Sequence, residues 1–179
     1  MPSRKIDDLV PELRPPARRL IENCRLRGIE MRPYETLRTP IEQGKIWRQS
    51  RTHEQVEAKI LELRNAGASF LASSIENAGP QSGRHVTDAP PGLSWHQWGE
   101  AFDSFWVVNN AAEWSTTKKI NGLNGYRVYA EEAERLDLTA GGLWTSFKDW
   151  PHVQLRPAKS PKAHFPMTEI DRIMRERFG

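Results

Sequence analysis

The stretch SWHQWGEAFDSFW, residues 94–106, decides the fold because it leads a histidine-bearing turn into a strand. His96 and Asp103 stand seven positions apart, and Gly99 between them suits a tight turn. The residues that follow the glycine are apolar enough to predict a buried strand. Tryptophans surround both polar side chains. The segment therefore fits either an aromatic core or a metal site, and the rest of the chain must decide between them.

Composition limits the class of protein. The chain has 179 residues, 27% of them charged, which is typical of one globular domain with its own core. The net charge of +3 suits a partner with an anionic surface, such as a cell wall or a nucleic acid. No basic run or aromatic–basic motif of the RNA-binding kind is present, so we expect no nucleic-acid partner. A single cysteine, Cys24, excludes an intrachain disulfide.

The N-terminal sequence MPSRKIDDLVPELRPP has no apolar segment of the kind that a secretory signal needs. No window is long and apolar enough for a membrane-spanning helix, so we expect no membrane insertion. We expect a monomer that is made in the cytoplasm. If it acts outside the cell, another component must release it.

Hydrophobic spacing predicts helices separated by a few strands. Thr39 is a predicted N-cap with Pro40 in the first helical turn, and the other predicted helices cover about 16–27, 53–66, 126–136 and the C-terminal PMTEIDRIMRERF. Because the strands do not alternate regularly with helices, the pattern favours an α+β fold with a small antiparallel sheet and flanking helices. We expect residues 1–157 to form a single domain, with the polar tract and helix of 158–179 packed on it.

A second group of polar residues lies in KDWPHVQL, which contains Asp149 and His152. A catalytic zinc takes about three protein ligands and keeps one position open. The chain offers three such ligands in His96, Asp103 and His152. Asp149 is then available as a general base that takes a proton from water. Spacing alone leaves a structural interpretation open, in which His152 is a core histidine and Asp103 caps a turn.

Three motifs in order resemble those of the peptidase M15 family, which contains zinc D-Ala-D-Ala carboxypeptidases and L-alanyl-D-glutamate endopeptidases. SWHQWGEAFD resembles the family's SxHxxGxAxD. GGLWTSFKDWPHVQL is similar to GGxWxSFxDxPHxQ, and ETLRTPIEQGKIWRQSRT to RTxxEQxxLYxxGRT. The resemblance covers about residues 8 to 156. The chain departs from the family at two places. It has SRT where the family motif has GRT, and AGGLW where many relatives have WGGDW.

The resemblance implies a Hedgehog/DD-peptidase fold and a role for seven residues. The zinc ligands would be His96, Asp103 and His152. The catalytic residues would be Asp149 as the base and Arg38 as the group that holds a substrate carboxylate or carbonyl, and Ser94 and Gln43 would bind substrate.

The function that the resemblance implies is a zinc-dependent peptidase acting on the stem peptide of bacterial peptidoglycan. We expect an L-Ala-D-Glu endopeptidase of the phage endolysin type, which lyses the cell wall after release through a holin-type pore. Two alternatives stay open. One is a D,D- or L,D-carboxypeptidase that removes a terminal D-Ala, and the other is a non-catalytic zinc-containing module that binds the cell wall.

Overall fold

The computed structural model describes residues 2–179, which form two compact units. The first unit comprises Arg38–Trp98 and Ala158–Gly179, and the second comprises Ser3–Leu37 and Gly99–Pro157.

The first unit is helical. Its helices are α2 (Pro40–Arg48), α3 (His53–Asn65), α4 (Ser69–Asn77) and α6 (Met167–Phe178). Thr39 caps α2 in a capping box with Glu42, because each side chain bonds the other's backbone N–H. Helix α6 packs on α4, and the Asp171 carboxylate accepts the Leu71 N–H at 2.9 Å. That bond satisfies one of the backbone donors that a helix N-terminus leaves open.

The second unit is built on one five-stranded antiparallel sheet. The strands are β1 (Glu30–Glu35), β2 (Ala101–Val108), β3 (Ala111–Glu113), β4 (Thr139–Ala140) and β5 (His152–Gln154). They follow the order β1-β2-β5-β4, with β3 paired to β2. Helices α1 (Arg14–Leu26) and α5 (Gly125–Glu134) complete the unit.

Alternate residues of β2 point to opposite faces of the sheet, as in any strand. Phe102, Ser104 and Trp106 are at most 2% exposed and belong to the face that packs on the helices. The Tyr129 hydroxyl of α5 donates to the Ser104 hydroxyl at 3.1 Å, so this polar group of the core is satisfied. The other face of β2 carries Asp103 and Phe105.

The structure confirms the α+β class and the small antiparallel sheet with flanking helices. The first helix begins at Arg14, earlier than predicted, because Pro15 and Pro16 lie in its first turn, where a missing N–H costs nothing. The tract 158–179 belongs to the same unit as 38–98. The grouping of 1–157 as a single domain stays a prediction. Within residues 2–179, no helix has the length and apolar character to cross a membrane.

Gly125 is expected to be essential for the stability of the second unit. A Cβ atom at this position would lie 2.4 Å from Cγ of Trp106, at the contact between α5 and the sheet. Gly125→Ala should therefore lower the free energy of unfolding by about 1–3 kcal/mol through overpacking. Urea denaturation measures the change, with Glu134→Ala, an exposed site on the same helix, as the control. Equal stability of the two variants would contradict the prediction.

Candidate metal centre

The sheet register places Asp103 and His152 side by side. The two residues are direct partners in the antiparallel pairing of β2 with β5. His152 Nδ1 lies 3.0 Å from Asp103 Oδ1, and the residues are 7% and 8% exposed. Directly opposed residues of an antiparallel pair have Cβ atoms about 5 Å apart, so their side chains meet without special loop geometry.

His96 lies on a short 3-10 turn, Trp95–Trp98, just before the sheet begins. The turn is anchored by Trp98, whose indole N–H donates to the Gly92 carbonyl at 3.1 Å and whose ring stacks on Phe165 at 4.9 Å. Gly99 follows with φ of +69°, a conformation that glycine adopts at no steric cost. His96 itself is 3% exposed. Its position is therefore set by packing on one side and by a glycine turn on the other.

The ligand atoms of His96, Asp103 and His152 lie within 4.8 Å of one another. Zinc–ligand bonds of about 2.0–2.2 Å in a tetrahedral arrangement put ligand atoms roughly 3.4 Å apart, so small side-chain rotations bring the three atoms into range. Two imidazoles and one carboxylate are a donor set that zinc accepts, and three protein ligands leave a fourth position open. The residues fit a catalytic zinc.

The second nitrogen of His152 is held by Gln154, the next residue on the same face of β5. His152 Nε2 lies 3.0 Å from Gln154 Oε1, and the Gln154 amide nitrogen donates to the Arg156 carbonyl at 2.5 Å. Because that carbonyl takes the amide N–H, the amide oxygen must face the imidazole and accept its Nε2–H. Nδ1 of His152 is then the nitrogen with a lone pair for a metal.

The charges around His152 favour a cation at this place. Burial alone would lower the pKa of His152, but the hydrogen bond and charge of Asp103, together with the charge of Asp149, raise it above its ordinary value. The same carboxylates that favour a proton on the imidazole also favour a metal ion there. The Trp144 ring contacts the imidazole at a tilt, with 5.4 Å between the ring centres.

Asp149 is positioned by a close approach of two chain segments. Its N–H donates to the Gly141 carbonyl at 3.1 Å, and a Cβ on Gly141 would lie 2.4 Å from the Asp149 carbonyl oxygen. A Cβ on Gly142 would lie 2.5 Å from the Trp150 ring. The paired glycines therefore allow the loop to fold back on itself. Asp149 is half-buried, and its carbonyl accepts the His152 N–H at 3.1 Å, which ties it to the ligand.

Arg38 lies next to His96, because its backbone N–H donates to the His96 carbonyl at 3.3 Å. Its guanidinium donates to Gln43 Oε1 at 2.6 Å, and the Gln97 amide donates to the same oxygen at 2.8 Å. Gln43 is fully buried and also donates to the Ala89 carbonyl. Gln43 thus holds the guanidinium of Arg38 in place. A contact of Gln43 with substrate stays a prediction.

Ser94 supports the turn that carries His96. Its hydroxyl accepts the His96 N–H at 3.4 Å, and its carbonyl accepts the Gln97 N–H at 3.1 Å. These contacts account for a serine at this position through turn geometry. A further contact of Ser94 with substrate stays a prediction.

The structure brings together all three residues of the predicted zinc group and places Asp149 within electrostatic reach of His152. Gln154 was not singled out from the sequence. It could have been found, since a strand places residues two apart on one face.

Comparison with known proteins gives a family and two similar folds. The family described as VanY, D-alanyl-D-alanine carboxypeptidase, matches residues 7–138, well over half of the chain. The comparison with curated proteins found no match. Among solved structures, the Serratia marcescens L-Ala D-Glu endopeptidase ChiX is 20% identical with a TM-score of 0.44, covering 87% of this chain and 89% of its own.

A second solved structure is a mutant of the vancomycin-resistance D,D-pentapeptidase VanY from a VanB-type resistance cassette, in complex with Zn(II). It is 18% identical with a TM-score of 0.47, covering 96% of this chain and 84% of its own. The family match contains Arg38, His96 and Asp103, and the sheet register supplies His152 beyond its end. The chain belongs to the VanY D-alanyl-D-alanine carboxypeptidase family of M15 peptidases, and it is a zinc metallopeptidase with His96, Asp103 and His152 as its candidate zinc site.

Proposed function

We propose that the protein is an L-Ala-D-Glu endopeptidase that cuts the stem peptide of bacterial peptidoglycan. The observation that carries a hydrolytic function is the buried His96–Asp103–His152 group with the half-buried Asp149 beside His152. The choice of an endopeptidase is supported by the sequence resemblance to enzymes of that specificity. A role as a phage lysis enzyme released through a holin-type pore stays a prediction.

Asp149 is the group that would move the proton. Zinc, when bound, supplies Lewis acidity that polarises a carbonyl and lowers the pKa of water. Asp149 would accept the proton of the attacking water and return it to the amine that leaves as the peptide bond breaks. A base needs access to solvent and substrate, and Asp149 is less buried than the three ligands.

Arg38 would hold the negative charge of the substrate. Arg38 is 7% exposed and Gln43 orients its planar guanidinium, so little conformational freedom remains to be lost on binding. It can pair with a carboxylate of the peptide or with the oxygen that becomes negative during hydrolysis.

A D,D-carboxypeptidase is the second candidate, and the family description itself favours it. Mass spectrometry of purified peptidoglycan digested with and without a chelator separates the two. Chelator-sensitive release of peptides that begin with D-Glu would support the endopeptidase, whereas release of free D-Ala would identify the carboxypeptidase. A folded protein that releases neither would favour a non-catalytic wall-binding module.

Asp149→Asn should lower kcat by about 10²–10⁴-fold, because an amide cannot accept the proton of water. Zinc content should stay at that of the unmodified protein, since Asp149 is outside the ligand group. Turnover of a synthetic stem peptide and the metal content of the purified protein are measured together. Asp137→Asn, an exposed aspartate of the same unit, is the control. Retained activity in Asp149→Asn would show that another group is the base.

Gln154→Leu should weaken zinc binding by about 10–100-fold, because the Nε2–H of His152 loses its acceptor. Gln154→Glu keeps an acceptor at that place and should bind zinc at least as well as the unmodified protein. Competition with a chromogenic chelator gives both affinities. If Gln154→Leu bound zinc with unchanged affinity, the assignment of Nδ1 as the ligand nitrogen would lose its support.

A further inference from the structure

Three aromatic side chains form a cluster on the face of the sheet that carries Asp103. Phe105 follows Asp103 by two residues on β2, so both point away from the helices. The ring of Tyr34 on β1 lies 6.0 Å from that of Phe105, and the ring of Trp114, just after β3, lies 5.9 Å from it. Tyr34 and Trp114 meet edge to face at 5.6 Å. We name Tyr34, Phe105 and Trp114 the aromatic platform.

The platform runs from the metal ligands to solvent. Asp103 and Phe105 are two residues apart on a strand, about 6.8 Å. Tyr34 directly precedes Glu35, the residue of β1 that pairs with Asp103 in the sheet. Burial raises the pKa of the Tyr34 hydroxyl, and the charges of Asp103 and Asp149 raise it further. At the other end, Trp114 is 54% exposed. A large aromatic ring kept half in water is a surface available to a ligand.

The rim of the platform is polar. The guanidinium of Arg32 lies 6.0 Å from the centre of the Phe105 ring and pairs with Glu30 at 2.7 Å. Beside Trp114, Glu113 pairs with Lys118 at 2.5 Å. The exposed indole face of Trp114, bordered by hydrogen-bonding groups, matches the chemistry of a sugar ring, which has an apolar C–H face and hydroxyl groups around its edge. An aliphatic side chain would instead need an enclosed pocket to leave water.

We propose that the aromatic platform binds a sugar ring of the glycan strand to which the stem peptide is attached. The inference rests on the proposed endopeptidase function and deepens it. An L-Ala-D-Glu bond is separated from the sugar by one residue and one lactyl group, roughly 7 Å, so the sugar stays close to the bond that is cut. A D-Ala-D-Ala bond lies three residues further along the peptide, about 10 Å more.

The first test compares two substrates, the stem peptide alone and the same peptide linked to its disaccharide. For each protein, the ratio of kcat/KM on the linked peptide to kcat/KM on the free peptide is measured. Trp114→Ala should lower this ratio about 5- to 10-fold, the range of an aromatic stacking contact. Trp114→Phe keeps a flat ring and should restore part of it. Leu26→Ala, which removes an apolar side chain 72% exposed elsewhere on the same unit, should leave the ratio unchanged.

An unchanged ratio in Trp114→Ala would overturn the proposal. So would equal loss on both substrates, which would give Trp114 a structural role. Thermal unfolding of each variant shows whether the fold is retained. If Trp114→Ala does not fold, the ratio of kcat/KM on the two substrates is compared between Trp114→Phe and the unmodified protein instead.

The second test measures binding without hydrolysis. Peptide-free glycan strands are titrated into the intact protein, and the indole N–H signal of Trp114 is followed by NMR after assignment with Trp114→Phe. A saturating shift at this signal supports the platform, and no shift overturns it. If the glycan binds but no stem peptide is cut, the proposed function fails while the platform stands. If the peptide is cut but the glycan does not bind, only the platform fails.

Discussion

The antiparallel pairing of Asp103 with His152 is the constraint on which the rest of the candidate site depends. A carboxylate and an imidazole that are 49 positions apart in the chain become direct neighbours through the register of β2 and β5. A slip of one residue in either strand would turn the ligand of that strand toward the helices and separate it from its partner. Everything that fixes this register therefore also fixes the metal centre, including the core contacts of Phe102 and Val153, which pair directly beside the two ligands.

The remaining parts of the site are attached to this pair by short segments. The 3-10 turn with His96 and Gly99 directly precede β2 in the chain, and the loop with Gly141 and Gly142 folds back on Asp149, just before β5. The first segment uses a glycine for its backbone angle. The second uses glycines because no side chain fits where the chain folds back. Function is thus carried by loops, and the strands determine where those loops begin.

Much of this could be predicted from the sequence. The capping signal at Thr39 and Pro40 located the start of a helix, and the apolar run after Gly99 located β2. The histidines and aspartates suggested a metal site with three candidate ligands, and the family motifs implied the role of each. The burial of Gln43 could not be predicted, because helical spacing places a residue on a face without showing what covers it. The aromatic platform was also missed, since Tyr34 on β1 and Trp114, just after β3, are far apart in the chain and meet only through the sheet register.

The division of β2 into two faces separates two kinds of evolutionary change. Residues with even numbers, from Phe102 to Trp106, are held by the core, and replacing them costs stability. Between them, Phe105 can be exchanged with little effect on the core, because its contacts are with other residues of the open face. Substitutions on the open face of β2 can therefore change the surface beside the metal centre while the core that holds its ligands in register stays the same.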